Sequence, residues 1–273
     1  MIDAVKELEL KARDLRRNVL DVVYESKAGH IGGSLSSLDI LTTLYYNVLN
    51  INPKELKDPN RDRFILSKGH IAESLYCILA DKGFFEKEKL KEYCKFNSTL
   101  IGHPSMKNPG VEINTGSLGH GLAISVGIAL AGKRDNKSYK VFTLMGDGEQ
   151  EEGSVWEAAM AGANYKLDNL VGIVDRNMLQ ISGNTEDVMA LKDLGGKWAK
   201  FGWNVIEVDG NNIEELLKVF SNVPMFKDKP TMVIANTVKG KGISFMENQA
   251  KWHHGVLTKE EYLKAVNELR KEC

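Results

Sequence analysis

Asp147 and Asn177 are two oxygen-bearing side chains 30 residues apart (177 − 147), each placed just after a short apolar run. A carboxylate and an amide oxygen are hard donors suited to Mg²⁺, which takes few protein ligands and fills its shell with water and phosphate oxygens. Gly148 beside Asp147 lets backbone come close to a phosphate, and the helix that follows points its amino end the same way. The chemistry these residues could do is to hold a diphosphate through a bridging divalent cation. Gly146-Asp147-Gly148 is equally a common turn signal and Asn177 a common loop cap, so the pair alone leaves both readings open.

Histidines supply a second set. His30, His70, His103 and His254, four of the six in the chain, each sit beside glycine in loop-like sequence. Imidazole donates or accepts a proton near neutral pH and hydrogen-bonds phosphate or carbonyl oxygen. Any one of them reads as an ordinary half-exposed histidine, whereas four in similar settings point to a site. Zinc is the competing use, but no pair has helical i, i+4 spacing and no cysteine clusters with them. Residues 115–121, Thr-Gly-Ser-Leu-Gly-His-Gly, form a possible close-approach loop. They are not the dinucleotide fingerprint, because the spacing differs and no strand leads in. Lys239 and Lys241 follow an apolar run and either face an anionic ligand or lie in a solvated loop. Glu151, Glu152 and Glu157 near a helix start are accounted for by the helix dipole.

The apolar runs at 139–145 and 170–174 read as buried strands, and 151–165 between them is rich in helix formers. This βαβ unit brings Asp147 and Asn177 to the carboxyl ends of parallel strands, where ligands of open α/β sheets bind. Around it the pattern predicts a helix over 3–25 and another over 36–49 capped by Ser36 or Ser37. A strand at 63–67 and a helix to about 82 follow, then a loop over 97–117 long enough to be functional. Further helices are expected at 119–133, 191–201 and 213–220, strands at 203–208 and 231–236, a loop to 257 and a helix from 258 onward. The fold class is α/β: a mainly parallel sheet with helices on both faces, in one domain over 1–273 with peripheral helices at its two ends.

Lys+Arg number 36 and Asp+Glu 37, so the charges almost cancel. Nothing in that balance favours nucleic acid or an anionic membrane. No apolar stretch is long enough to span a bilayer, and residues 1–7 lack the apolar core of a signal peptide. Cys77, Cys94 and Cys273 are an odd count without metal or redox spacing, which fits a reducing compartment. A cytoplasmic protein is expected.

Gly146-Asp147-Gly148 through Asn177 resembles the thiamine-diphosphate motif, and the surrounding residues resemble the amino-terminal, diphosphate-binding domain of transketolase. The likeness runs through Gly29-His30, residues 67–70, Gly102-His103-Pro104, residues 115–119 and Glu152-Gly153 to His254-Gly255, nearly the whole chain. The resemblance implies a thiamine-diphosphate-binding fold with thiamine diphosphate and Mg²⁺, or another divalent cation such as Ca²⁺ or Mn²⁺, as cofactors. It implies that Asp147, the Asn177 side chain and the Leu179 carbonyl hold the metal. His70, Gly148 and His254 would hold the diphosphate, Asn177 would touch the cofactor through the metal, Gly116, Ser117 and Leu118 would lie against its rings, and Lys239 would sit near the thiazolium. His30, His103 and His254 would face the sugar and assist proton transfer. Glu152 and Glu157 resemble an acidic pair near a subunit contact. Ser117 stands where many family members have proline, and Lys239 where some have an aliphatic residue.

The chemistry implied is the cofactor's, transfer of a two-carbon ketol unit from a ketose phosphate to an aldose phosphate. The family's second, pyrimidine-binding domain and its activating glutamate have no counterpart after His254-Gly255. A split transketolase is therefore expected, whose partner is a separate carboxy-terminal transketolase subunit; an apolar face would also favour self-association. The related readings are a 1-deoxyxylulose-5-phosphate synthase-like subunit, one chain of a 2-oxo acid dehydrogenase, and a non-catalytic thiamine-diphosphate-binding subunit. The histidine set fits transketolase better than the other two enzymes.

Overall fold

Five parallel strands in the order β1-β2-β3-β7-β6 form the central sheet. They are β1 (Arg63–Leu66), β2 (Val141–Gly146), β3 (Leu170–Arg176), β6 (Asn204–Asp209) and β7 (Thr231–Asn236). The computed structural model describes residues 2–271; Cys273 lies outside the described residues. The middles of β1, β2, β3 and β7 are mainly apolar because both faces are covered there. Phe142, Leu144, Val171, Ile173 and Val233 point into one core, and Val141, Met145, Leu170, Val174, Met232 and Ile234 into the other. This is the period-two alternation of a strand whose two sides are both dry. Truncating a side chain as deep as Phe142 would cost about 3–5 kcal/mol.

Helices α1 (Ile2–Ser26), α2 (Ile31–Thr43), α3 (Ala72–Asp81), α8 (Ile213–Phe220) and α9 (Lys259–Lys271) cover the first face. Helices α4 (His120–Arg134), α5 (Gly153–Asn164) and α7 (Leu194–Lys200) cover the second. The expected βαβ unit is present: β2 and β3 pair directly in parallel, with Gly146 opposite Asp175, and α5 crosses between them. The 97–117 segment is free of regular secondary structure. It is held instead by buried Asn108, whose amide donates to the Thr99 and Ser105 carbonyls at 2.8 and 3.2 Å.

The expected cap for α2 is wrong. The helix begins five residues earlier, at Ile31, with His30 as its first flanking residue. Ser36 and Ser37 lie in its interior, each 3.0 Å from the Gly33 carbonyl oxygen and 2.7 and 2.8 Å from Asp175 Oδ2. Serine is tolerated there because its hydroxyl reaches both the preceding turn and a buried carboxylate. Two small elements were not anticipated: an antiparallel hairpin of β4 (Leu179–Gln180) and β5 (Gly183–Asn184), and the short helix α6 (Thr185–Met189). Among the described residues no helix is long and apolar enough to cross a membrane. Cys77 and Cys94 are both free.

Candidate functional site

Asp147 caps the turn at the end of β2, 3% exposed, and accepts from the backbone N–H of Gly148 at 2.8 Å and of Met178 at 2.7 Å. Asn177 follows β3 and is 4% exposed; its amide nitrogen donates to Ser36 Oγ and Asp175 Oδ2 at 3.3 and 3.2 Å. Those two acceptors fix which end of the amide is oxygen. Between Asn177 and Leu179, Met178 adopts a left-handed φ of +64°. That conformation costs a side-chain-bearing residue about 1–2 kcal/mol. Strain of this kind collects where a turn must present particular atoms. Burial raises the Asp147 carboxyl above its usual range, and the nearby Asp175 carboxylate adds to the effect. A cation would offset both influences.

Behind this pair lies a dry ionic network. Burial works to raise the Asp175 carboxyl, but its ion pair with Lys68 and hydrogen bonds from Thr237 and Ser36 hold it below the usual range. Glu149, also buried, accepts from the Ser67 hydroxyl and from the backbone of Gly119 and Gly146 at 2.8 and 3.0 Å. It fastens the ends of β1 and β2 to the start of α4. Sequence reasoning passed over Glu149, although a glutamate two residues beyond a strand-end aspartate was the available signal.

The opposite wall is made of histidines. The His30 ring stands 5.1 Å from that of His70, 5.7 Å from His253 and 4.7 Å from His254, edge to face, while His70 and His253 stack at 5.5 Å. Burial, with His254, His103 and Lys239 nearby, lowers His30 to about 4. Burial and the Lys239 ammonium lower His253 to about 3, and burial with Lys68 drives His70 well below its usual value. The imidazoles are therefore neutral at pH 7. Lys239, 2% exposed, donates to the Leu179 carbonyl at 2.6 Å and meets His253 Nδ1 at 2.9 Å. Since an ammonium only donates, Nδ1 accepts, and the neutral ring carries its proton on Nε2. Burial, then repulsion from Lys68, lowers Lys239 to about 8 despite Asp147 and Asp175.

The two walls enclose a cleft of about 400 Å³ lined by His30, His70, Gly116, Leu118, Asp147, Gly148, Asn177, Leu179 and Lys239, all named from sequence. Ser117 is exposed and turned to His120 Nδ1 at 3.5 Å rather than into the cleft. His103 and His254 are exposed at its rim. The His103 ring packs on Gly116, where φ is +138° and a β-carbon would stand 2.8 Å from the ring, so only glycine fits. His253 lines the cleft and was missed. Only its neighbour His254 adjoins a glycine in sequence, whereas Trp252 is buried beside His253 and it is His253 that lines the cleft.

The cleft suits a metal-bridged diphosphate. The Leu179 carbonyl already bears a cationic partner, and the Gln180 side-chain oxygen, also in the lining, is buried without a hydrogen-bond donor. Lys68, Lys239 and the histidine rings offer donors to an anion on the other side. Among the described residues no three His, Cys, Asp or Glu side chains converge as a metal set. The candidate donors are instead one carboxylate, one amide and one backbone carbonyl, a combination suited to Mg²⁺.

A doubly covered parallel sheet with this cleft at its carboxyl edge is an open α/β architecture whose cleft lies where such sheets bind their ligands. The sequence matches the family described as transketolase, thiamine diphosphate binding domain, over residues 9–272, and the chain belongs to that family as an amino-terminal subunit. It is 51% identical to an apulose-4-phosphate transketolase subunit of Phocaeicola vulgatus, over 97% of this chain and 94% of the relative. It is 39% identical to a 6-deoxy-6-sulfo-D-fructose transketolase subunit of a Clostridium species, covering 97% of each. Among solved structures, the transketolase of Campylobacter jejuni superposes with a TM-score of 0.91 at 31% identity, over 97% of this chain and 43% of that one.

Proposed function

We propose that this chain is the cofactor-holding subunit of a two-chain transketolase, and that it binds thiamine diphosphate through a divalent cation. The observation that carries the reading is the meeting of Asp147 and Asn177 at neighbouring strand ends, opposite a wall of neutral histidines and Lys239. In this reading Asp147, the Asn177 amide oxygen and the Leu179 carbonyl hold Mg²⁺, with Ca²⁺ or Mn²⁺ as substitutes. His70, Gly148, Lys239 and His253 hold the diphosphate, and Gly116, Leu118 and the backbone at Ser117 lie against the rings. When bound, the cofactor supplies the electron sink for two-carbon transfer. The chain's own residues bind and orient: His30, His103 and His254 donate to or accept from the sugar hydroxyls and the reacting carbonyl oxygen.

A companion subunit would bring the pyrimidine-binding domain and its glutamate. Support comes from the nearly full-length match to relatives that are themselves named as transketolase subunits, together with the 43% coverage of a whole transketolase. Ile181, 73% exposed, and Met189, 59% exposed, give the cleft-side hairpin and α6 an apolar surface for such a contact or for self-association. The resemblance to relatives named for apulose 4-phosphate and 6-deoxy-6-sulfo-D-fructose supports a phosphorylated or sulfonated ketose donor.

Calorimetry of thiamine diphosphate with Mg²⁺ and with chelator tests the first part. Turnover of apulose 4-phosphate and xylulose 5-phosphate by the chain reconstituted with its co-purifying companion tests the second. Pyruvate as the preferred donor would replace the reading with the synthase one. Cofactor binding without turnover of any of these would replace it with a non-catalytic subunit.

A further inference from the structure

The histidine wall is drawn from distant parts of the chain, yet one helix touches most of it. α3 begins directly after the turn Gly69–Ile71 that contains His70. On its first turn Glu73 is fully buried; its Oε1 accepts from the His30 backbone N–H at 2.7 Å and Ser34 Oγ at 2.8 Å, and its Oε2 from Tyr93 Oη at 3.0 Å. Gly29 packs onto the same carboxylate: its φ is +144°, and a β-carbon there would stand 3.0 Å from Glu73 Oε1 and 2.7 Å from Val23 Cγ2. Three residues along the same face, Tyr76 Oη donates to the His103 carbonyl at 2.9 Å. The rings of Tyr76 and Tyr93 meet edge to face at 6.2 Å, joining the two anchors.

Packing alone does not account for Glu73. An apolar side chain of similar shape would satisfy the surrounding core at least as well, because burying a carboxylate costs desolvation that neutral donors only partly offset. What the carboxylate adds is direction: two acceptor oxygens that hold the His30 backbone where α2 begins. The Tyr76 hydroxyl does the same for the loop carrying His103.

We infer that Glu73 and Tyr76 are positioning residues that set where the His30 and His103 imidazoles stand in the cleft. The inference rests on the reading that those imidazoles face the sugar. Neither side chain lines the cleft itself.

The test uses the full chain as Tyr76→Phe, Glu73→Leu and Glu73→Gln, read by imidazole NMR of isotopically labelled histidine, cofactor calorimetry, and kcat and KM with the companion subunit. Tyr76→Phe keeps the ring and removes the donor. It should shift the His103 resonances, leave His30 in place and raise KM for the sugar about tenfold, with cofactor affinity within about twofold. Glu73→Leu should do the reverse, moving His30 and sparing His103. Glu73→Gln should restore most of the loss, since its carbonyl oxygen can still accept from His30 N and Ser34 Oγ while its amide donates to Tyr93.

Unchanged His103 signals and KM in Tyr76→Phe would overturn the inference. So would equal disturbance of every histidine by both variants, or no recovery in Glu73→Gln. If Glu73→Leu does not fold, Tyr76→Phe decides alone. A wild-type chain that binds no thiamine diphosphate with Mg²⁺ would sink the functional reading instead, while the NMR comparison would still report whether α3 holds the two histidines.

Discussion

The two walls of the cleft are built by different means. The acidic wall comes from neighbouring strand ends: Gly146 and Asp175 face each other in register, and Asp147 and Asn177 follow directly. Its side chains are bound to backbone N–H groups one or two residues away or just across the sheet. The histidine wall gathers His30, His70 and His253, with His103 and His254 at its rim, from four separate loops. Those loops are steadied by buried groups far along the chain, Glu73, Tyr76 and Lys239. A sheet fixes position through its register, and loops must borrow it from side-chain hydrogen bonds. The acidic wall should therefore respond to changes at its own strand ends, whereas the histidine wall should also respond to residues on a helix outside the cleft.

The sharpest way to break this contrast is Asp147→Ala. Losing the charged donor should weaken Mg²⁺-dependent binding of thiamine diphosphate by more than about 100-fold, since even an outer-sphere partner is worth 10–100-fold. Calorimetry that gave the wild-type affinity would remove Asp147 from the metal set. His103→Ala should lower turnover of the reconstituted enzyme by about 10²–10⁴-fold, the usual worth of a proton-transfer group. Cofactor affinity should hardly change, because the ring stands at the rim; a large drop would put His103 on the cofactor. Asp175→Asn probes the support of the acidic wall, as Asp175 Oδ2 accepts from the Asn177 amide at 3.2 Å. Mg²⁺ affinity, followed by titration with the cofactor present, should fall by about 10–100-fold. No change would mean that Ser36 and the Leu179 N–H alone orient the amide.

The same contrast explains what could be read from sequence. The runs at 139–145, 170–174 and 231–236 were legible as strands because their middles are buried on both faces and almost wholly apolar. With β2 and β3 recognised, Asp147 and Asn177 followed, since a crossover helix returns the chain in parallel. The start of α2 was not legible. Ser36 and Ser37 look like caps until Asp175, almost 140 residues away, is known to receive their hydroxyls. The choice between His253 and His254 turned on which ring lines the cleft, a tertiary fact. The hairpin 179–184 has neither apolar alternation nor length, and its place against Gly148 comes from the fold around it. Glu73 sits in a helical pattern as one more polar residue, and its burial appears only when Gly29, Ser34 and Tyr93 close over it.

The smallest effect expected is on stability against pH, and it separates the walls by their charge. His30 and His253 are lowered from 6.5 to about 4 and about 3 by burial first, then by positive neighbours. Between 6.5 and about 4 the unfolded chain carries a proton on each of these rings and the folded chain does not. The unfolded state binds more protons across that window, so stability rises with pH there and falls on acidification. Each ring can contribute a slope of at most about 1.4 kcal/mol per pH unit. The carboxylates held low act further down: Asp81, where burial opposes but hydrogen bonds from Lys87 and Tyr46 prevail, lies at about 2. Urea midpoints measured from neutral pH down to about 4.5 should therefore fall more steeply in the wild type than in His253→Asn, which keeps a polar side chain of similar reach without the titration. The Asp147, Glu149 and Glu73 carboxyls, raised by burial, act in the opposite sense in both proteins and leave the difference to the ring. An equal slope in the two proteins would mean that the His253 ring is as well hydrated folded as unfolded, and the histidine wall would then not be the dry surface that keeps its imidazoles neutral.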